Sequence, residues 1–77
     1  KYEIRYHDID NSISITHEID SEKENPVMLL ELSLNVPKGM KLLGYSTSKD
    51  SKVIVYQPYQ KITVTSDIDL YMVLLKT

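Results

Sequence analysis

Two acidic residues near the start of the chain, Asp8 and Asp10, have the alternate spacing of a calcium-binding loop. A complete loop of that kind also needs a glycine at its sixth position and a glutamate at its twelfth. Counted from Asp8, those positions hold Ile13 and Ile19. The pair therefore predicts a turn held by carboxylate side chains, and no calcium site.

The two histidines, His7 and His17, lie in neighbouring segments with strand-like patterns. In a hairpin the imidazoles would face each other, and Asp8 would be the carboxylate to complete a zinc site. Two histidines alone make a weak site, so we predict no metal. Because His17 shares its alternation phase with three isoleucines, we expect a partly buried histidine with a hydrogen-bond partner.

No residue pattern for catalysis occurs in the sequence. The chain has no cysteine nucleophile, and no serine lies in the G-x-S-x-G context of a nucleophile elbow. Its only glycines are Gly39 and Gly44, so it has no glycine-rich phosphate loop. The acidic segment Asp20 to Glu24 is most simply a solvated turn. We predict a protein that is not an enzyme, with no catalytic residue and no cofactor.

The candidate ligand-binding surface consists of Tyr56, Gln57, Tyr59 and Gln60. Tyrosine and amide side chains together stack on and hydrogen-bond a sugar, or anchor a protein contact. The simpler alternative is that Tyr56 packs at a sheet edge and Tyr59 fills a turn. Tyrosine is the only aromatic residue type in the chain, with six copies, and it tolerates half-burial because its hydroxyl can reach water.

Charge is unevenly distributed along the 77 residues. Residues 1–37 carry three basic and eight acidic side chains, a net charge of −5, and residues 38–77 carry six basic and three acidic ones, a net charge of +3. This dipolar distribution lacks the concentrated basic face typical of nucleic-acid binding. The chain also lacks an apolar run of about 18 residues. We predict no nucleic-acid partner and no direct membrane insertion.

Alternating apolar residues predict a hairpin at the start of the chain. Strand-like alternation covers Lys1 to His7 and then Ser12 to Ile19, on either side of turn-forming residues Asp8 to Asn11. At the other end, Asp69 to Lys76 contains six consecutive apolar residues. Since a strand covered on both faces need not alternate, we expect this last strand in the middle of a sheet.

The segment from Val27 to Val36 is ambiguous between strand and helix. From Met28 onward, every second residue is apolar, which favours a strand. The Met and Leu content favours a helix, and Asn25-Pro26 is suited to starting one. We predict a strand, with a short helical turn over Pro26 to Leu30 as the main alternative, so the choice over Val27–Leu34 stays open.

Shorter elements fill the rest of the chain. We predict turns at Pro37–Gly39 and Gln57–Gln60, and short strands at Met40–Tyr45, Val53–Tyr56 and Ile62–Thr65. Gly44, inside the first of these strands, indicates a bulge or a close backbone approach. Lysines before the second strand are typical of a sheet edge.

Three stretches resemble one family of bacterial repeats. Residues 37–48, PKGMKLLGYSTS, resemble the pattern P-x-x-G-Y-x-F-x-G-W-S-T. Residues 57–71, QPYQKITVTSDIDLY, resemble the ending Y-x-x-G-x-x-I-T-V-T-S-D-x-T-L-Y-A-x-W, and Lys1–Asp8 is similar to the opening Y-x-V-x-Y-D. These are patterns of the internalin-type B repeats, also called Listeria–Bacteroides repeats, and the chain resembles a divergent copy.

The resemblance implies an α+β, strand-dominated fold. It would be a β-grasp-like mixed sheet with the first and last strands adjacent and parallel, and with at most one short helix. The chain departs from the family where relatives carry aromatic, small or glycine residues, and it lacks their Asn-Gly-Gly after the first strand. The replacements are Leu42 for Phe, Tyr45 for Trp, Met72 for a small residue, Leu74 for Trp, and Tyr59 or Gln60 for Gly. Because the core replacements stay apolar, we expect the fold to be retained.

The resemblance also implies a setting. We expect residues 1–77 to be a single domain, excised from a longer multidomain protein. The first hypothesis is a repeat, spacer or adhesion module of a secreted or cell-wall-attached bacterial surface protein, with neighbouring domains of the same chain as partners. The second is a module that binds glycan or host protein through Tyr56–Gln60. The third is an intracellular interaction domain of ubiquitin-like shape.

Overall fold

The alternating residues at the start of the chain form a hairpin, as predicted. The computed structural model describes residues 1–8, 10, 12–32 and 36–77. Strand β1 (Tyr2–His7) pairs antiparallel with β2 (Ile13–Ile19). Ile4 and Tyr6 are fully buried, so alternate residues of β1 face the core. The predicted turn falls partly outside the described residues, which omit Ile9 and Asn11.

The last strand lies inside the sheet, as its apolar run predicts. Strand β6 (Ile68–Lys76) pairs parallel with β1 and antiparallel with β4 (Met40–Ser46), and the strand order is β2-β1-β6-β4. The expected fold class is therefore confirmed: a strand-dominated, mixed sheet in which the first and last strands are adjacent and parallel. The described residues contain no helix, and hence none long and apolar enough to cross a membrane.

Coverage of β6 on both faces holds only for part of its apolar run. Leu70 is fully buried in the main core, and Val73, an odd number of residues away, is buried on the opposite face. Residues 50–52 border Val73 there. Beyond it, Leu74 is half-buried and Leu75 is 46% exposed, so the end of the strand does not contribute equally to the core.

Over the sheet lies a smaller antiparallel pair, β3 (Val27–Met28) with β5 (Lys61–Ile62). The pairing continues one step beyond β3, because the Leu29 N–H donates to the Gln60 carbonyl at 2.9 Å. The prediction of a strand over Val27 to Val36 was wrong at residues 29–32 and at Val36, and the helical alternative is not formed at residues 26–32. Residues Ser33, Leu34 and Asn35 of that prediction lie outside the described residues. Leu29 and Leu32 are both buried, so this segment covers the sheet without forming a helix.

The turn and bulge predicted around the glycines are present. The Met40 N–H donates to the Pro37 carbonyl at 3.1 Å, and Gly39 adopts a φ of +87°, where glycine has no steric penalty. The register of β4 shifts between Leu42 and Gly44. A Cβ on Gly44 would lie 2.6 Å from the Ile54 Cγ2 and 2.7 Å from the Tyr56 carbonyl oxygen, so only glycine fits without rearrangement.

Two of the predicted short strands are reduced to fragments. Val53 to Tyr56 forms no strand, and its pairing with the sheet is limited to an isolated β-bridge between Tyr45 and Tyr56. Val53 is 67% exposed, so this segment lacks the buried alternate face that stabilises a strand. The strand predicted at Ile62–Thr65 is limited to Lys61–Ile62, because only these residues find a partner in β3.

Candidate functional site

A charged cluster occupies the face of the sheet opposite the core. Arg5 and His7 of β1 alternate with the core residues Ile4 and Tyr6, and His7 is itself buried at 8% exposure. The parallel register sets Arg5 beside Asp69 and His7 beside Tyr71 of β6. Side chains at registered positions share a face, so the pairing of the first and last strands assembles this cluster.

Asp69 is the centre of the cluster. Arg5 donates to it through two nitrogens, Nε to Oδ1 at 2.8 Å and Nη2 to Oδ2 at 3.2 Å. The His7 Nε2 lies 2.8 Å from the same Oδ1. Hydrogen bonding by Arg5, and then by His7, lowers the pKa of Asp69 to about 2, and the Asp69 carboxylate in turn raises the pKa of Arg5.

The cluster extends toward the start of β6. The Glu3 N–H donates to the Asp67 Oδ1 at 2.9 Å. The Arg5 Nη1 lies 3.2 Å from the Glu3 Oε1 and 3.7 Å from the Asp67 Oδ2. At the other end, the rings of His7 and Tyr71 stack with centroids 4.3 Å apart. Asp67 and Asp69 thus meet Arg5 of the neighbouring strand, and these interactions join β1 to β6.

The sequence places Asp69 at the start of the last strand but does not identify its partners. The available signal was the shared alternation phase of Arg5 and His7, opposite the apolar phase of β1. If the first and last strands are taken as parallel neighbours, that shared phase predicts a charged face across β1 and β6. It does not supply the register, and only the register decides that Arg5 lies beside Asp69.

The two histidines do not face each other. His17 pairs with Ile4 and so shares the core side of the hairpin, whereas His7 lies on the charged face. His17 is partly buried, as predicted, but its expected hydrogen bond is not formed within the described residues. Its Nδ1 is buried without a partner there, and its Nε2 lies 3.8 Å from the Glu24 Oε2, which is an ion-pair distance. The described residues contain no group of three side chains suited to hold a metal ion.

Asp10 stabilises the first turn, as its spacing predicts. Its Oδ1 accepts the Ser12 N–H at 3.0 Å and the Ser12 hydroxyl at 2.6 Å. These bonds lower the pKa of Asp10. Its carboxylate therefore acts on its own turn, which is the local role that Asp commonly has there.

The second candidate group, Tyr56 to Gln60, forms the turn before β5. The Gln60 N–H donates to the Gln57 carbonyl at 3.1 Å, and the Gln60 Oε1 accepts the Gln57 N–H at 2.9 Å. The predicted turn is therefore present, and the Gln60 amide is used to close it. Tyr56 is half-buried and packs against the core.

Tyr59 is exposed, and of the four residues of the predicted surface it is the one with a positive φ. Its side chain is 64% exposed, and its φ of 66° lies in the left-handed region. Its N–H donates to the Leu29 carbonyl at 3.0 Å, which helps to hold the turn against β3. A bulky residue at positive φ is unusual, because its Cβ crowds the backbone.

Tyr56 also borders a polar groove of about 380 Å³. The groove is bordered by hydroxyl residues, and by the carboxylates Asp67 and Asp69 of the charged cluster. Tyr56 and Asp69 therefore border one groove although they belong to the two separate groups described above.

Comparisons of the chain with protein-family models, with curated proteins and with solved structures find no match. The geometry of the terminal strands and of the Tyr56–Gln60 turn is therefore what bears on function.

Proposed function

We propose that the chain is a non-catalytic repeat, spacer or adhesion module of a secreted or cell-wall-attached bacterial surface protein. One observation carries the proposal: the first and last strands are parallel neighbours, so the chain enters the sheet at one end and leaves at the other. A module with this geometry extends a protein with each copy instead of folding the chain back on itself.

The distance between the ends follows from the register. Ile4 lies beside Ile68, so Tyr2 precedes this level and Lys76 lies well beyond it. At about 3.3 Å per residue of strand, Tyr2 and Lys76 are separated by roughly 33 Å along the strand direction. The domain measures 39 × 21 × 20 Å, so the two ends lie near opposite ends of its long axis.

Residues in the family-like stretches have structural tasks. Gly39 supplies a positive φ in a turn, and Gly44 allows Ile54 and Tyr56 to approach the sheet. Tyr59, one of the two residues that correspond to the family glycine, also has a positive φ. Residues that preserve turns and packing are what a repeated folded module needs, so these residues fit the proposed role.

The spacer role is tested by joining one, two and three copies end to end and measuring their maximum dimension by small-angle X-ray scattering. We expect about 33 Å of added length per copy, because each copy contributes its end-to-end strand distance. A control array with long Gly/Ser linkers grows less regularly, since flexible chains lengthen roughly as the square root of their residue number. A three-copy array no longer than a single copy contradicts the proposal.

The proposed location is tested on cells that express the parent protein. Protease treatment of intact cells should remove the domain, and a signal peptide and wall anchor should be present in the parent gene. Recovery of the domain only from the cytosol, protected from protease, would favour the intracellular ubiquitin-like alternative instead.

A second function, binding of glycan or host protein through Tyr56–Gln60, is favoured by the conformation of Tyr59. A residue held in a sparsely populated conformation typically costs about 1–3 kcal/mol, and such residues cluster at functional sites. Replacing Tyr59→Gly removes both the strain and the exposed ring. If the turn binds a ligand, this variant loses binding on a glycan array or in a host-protein pull-down while its stability is unchanged or higher. Equal binding by both proteins counts against this function.

A further inference from the structure

The pairing of β1 with β6 determines how the domain responds to tension along the chain. Tension applied at the two ends pulls β1 toward the Tyr2 end of the sheet and β6 toward the Lys76 end. The strands must then slide past each other, along the direction of their own axes. The registered pairs between them run from Ile4 with Ile68 to His7 with Tyr71.

Sliding loads all the bonds between the two strands together. Ladder hydrogen bonds in a parallel pair are evenly spaced and cross between the strands, so a force along the strand axes acts on all of them at the same time. An antiparallel pair pulled apart at one end opens instead one bond at a time. The first geometry shares the force among several bonds, and the second concentrates it on one.

Side chains reinforce the same strand pair on the charged face. Asp69 of β6 accepts two hydrogen bonds from Arg5 of β1 and lies 2.8 Å from His7. The Glu3 N–H donates to Asp67 at 2.9 Å. Bidentate pairing between guanidinium and carboxylate is strong and directional, so displacement of one strand by a single residue breaks it.

The core face adds packing that excludes water. Ile4 and Tyr6 of β1 and Leu70 of β6 are all fully buried. Sliding β6 past β1 moves these side chains out of their contacts before any new packing is available, because interiors are close-packed. The bonds between the strands are thereby covered on one face by the core and on the other by the charged cluster.

We propose that the β1–β6 pair is a shear clamp, which makes the domain resist tension applied through its two ends. This function goes beyond that of a spacer, which needs only length. Its use in a cell rests on the proposed surface setting, but the clamp itself is a property of one copy of the chain.

Single-molecule force measurement with two attachment geometries tests the clamp. The chain has no cysteine, so thiol handles can be introduced at chosen sites. One protein carries a cysteine added before Lys1 and one added after Thr77. The other carries Met40→Cys and the same added cysteine after Thr77. Met40 lies beside Lys76 in the antiparallel β4–β6 pair and is 37% exposed, so this geometry opens that pair from its end.

We expect a higher unfolding force, at the same loading rate, through the two ends than through Met40→Cys. Complete unfolding should lengthen the protein by about 240 Å between the two added cysteines, and by about 130 Å between Met40→Cys and the added C-terminal cysteine. These length gains identify the unfolding event in each geometry. Chemical denaturation of both proteins checks that they have equal stability, so that only the direction of pulling differs. Equal forces in the two geometries, or a lower force through the ends, would overturn the proposal.

Two charge-matched variants test the side-chain contribution. Asp69→Asn weakens the contact between β1 and β6 and should lower the unfolding force through the ends, while leaving the force through Met40→Cys unchanged. Glu18→Gln removes the same charge from an exposed pair between β2 and Lys1, the residue before β1, and should change neither force. If Asp69→Asn and Glu18→Gln behave alike, the carboxylate has no part in the clamp. Failure of the multi-copy arrays to lengthen contradicts the spacer role without changing the force on a single copy.

Discussion

The rings of Tyr6 and Tyr45 meet edge to face in the core, with centroids 5.5 Å apart and planes at 82°. Both side chains are fully buried, and both hydroxyls bond the same residue of the covering segment. The Tyr6 hydroxyl accepts the Leu30 N–H at 3.1 Å, and the Tyr45 hydroxyl donates to the Leu30 carbonyl. Their hydroxyls replace the backbone partners that a helix or a longer strand would supply.

Removing the Tyr45 hydroxyl should destabilise the fold. Tyr45→Phe leaves the Leu30 carbonyl without this donor, and an unsatisfied polar group in the interior costs about 1–3 kcal/mol. The free energy of unfolding, measured by urea denaturation, should fall by that amount. Tyr59→Phe serves as the control, because Tyr59 is 64% exposed, and surface changes of this kind usually stay within about 0.5 kcal/mol. Equal effects of the two substitutions would show that the Leu30 contact is not stabilising.

The same tyrosines make the fold sensitive to alkali. Burial raises the pKa of Tyr45 and of Tyr6 above the ordinary value of 10.0. A raised pKa means that the folded protein holds these protons more tightly than the unfolded chain, so the stabilisation is complete below pH 10.0 and decreases as the pH rises above it. Stability followed by circular dichroism should therefore fall above pH 10.0, and Tyr45→Phe should fall less steeply. If stability falls equally steeply with pH in the native chain and in Tyr45→Phe, Tyr45 is not the alkali-sensitive group.

The Asp69 contacts predict a loss of stability in acid. The pKa of Asp69 is lowered from 3.8 to about 2 by Arg5 and His7. The stabilisation is therefore present above pH 3.8 and is lost as the pH falls toward about 2. The difference in unfolding free energy between the native chain and Asp69→Asn should shrink across this interval. Glu18→Gln, at an exposed pair, should differ little from the native chain throughout. A constant difference for Asp69→Asn would rule out this carboxylate as the acid-sensitive group.

Gly44 should not tolerate a side chain. The added methyl of Gly44→Ala would lie 2.7 Å from the Tyr56 carbonyl oxygen, which belongs to the backbone and cannot rotate away. Overpacking of this kind typically costs about 1–3 kcal/mol. Gly39→Ala is the comparison. Its added methyl would have no neighbour within 4 Å, but residue 39 has a φ of +87°. The penalty at this position therefore comes from the backbone alone. Thermal or urea unfolding of both variants separates steric crowding from backbone strain, and an unaffected Gly44→Ala would contradict the close approach.

Shortening a side chain to alanine should cost more stability near the start of the last strand than near its end. Leu70→Ala removes a fully buried side chain and should cost about 2–5 kcal/mol. Leu74→Ala, in the same strand, removes a half-buried side chain outside the main core cluster and should cost less. Urea denaturation of the two variants measures the difference directly. Equal losses would mean that the core extends further along β6 than the burial of Leu70 and Leu74 indicates.

The sequence by itself determined the elements whose pattern is local. Alternation with period two identified the first hairpin, and turn residues marked Pro37–Gly39 and Gln57–Gln60. The unbroken apolar run of the last strand indicated its interior position. These features depend on residues that are close together in the chain, so a short stretch of sequence is enough to predict them.

The tertiary structure alone decided which distant residues meet. Arg5 and Asp69 are 64 residues apart, and nothing in either segment specifies the register that makes them partners. Residues 29–32 follow neither their strand pattern nor their helix propensity, because Tyr6 and Tyr45 bond the backbone of Leu30 from the sheet below. Long-range pairing and burial outweigh local preference at these sites, since both the hydrogen-bond partners and the apolar contacts come from other strands.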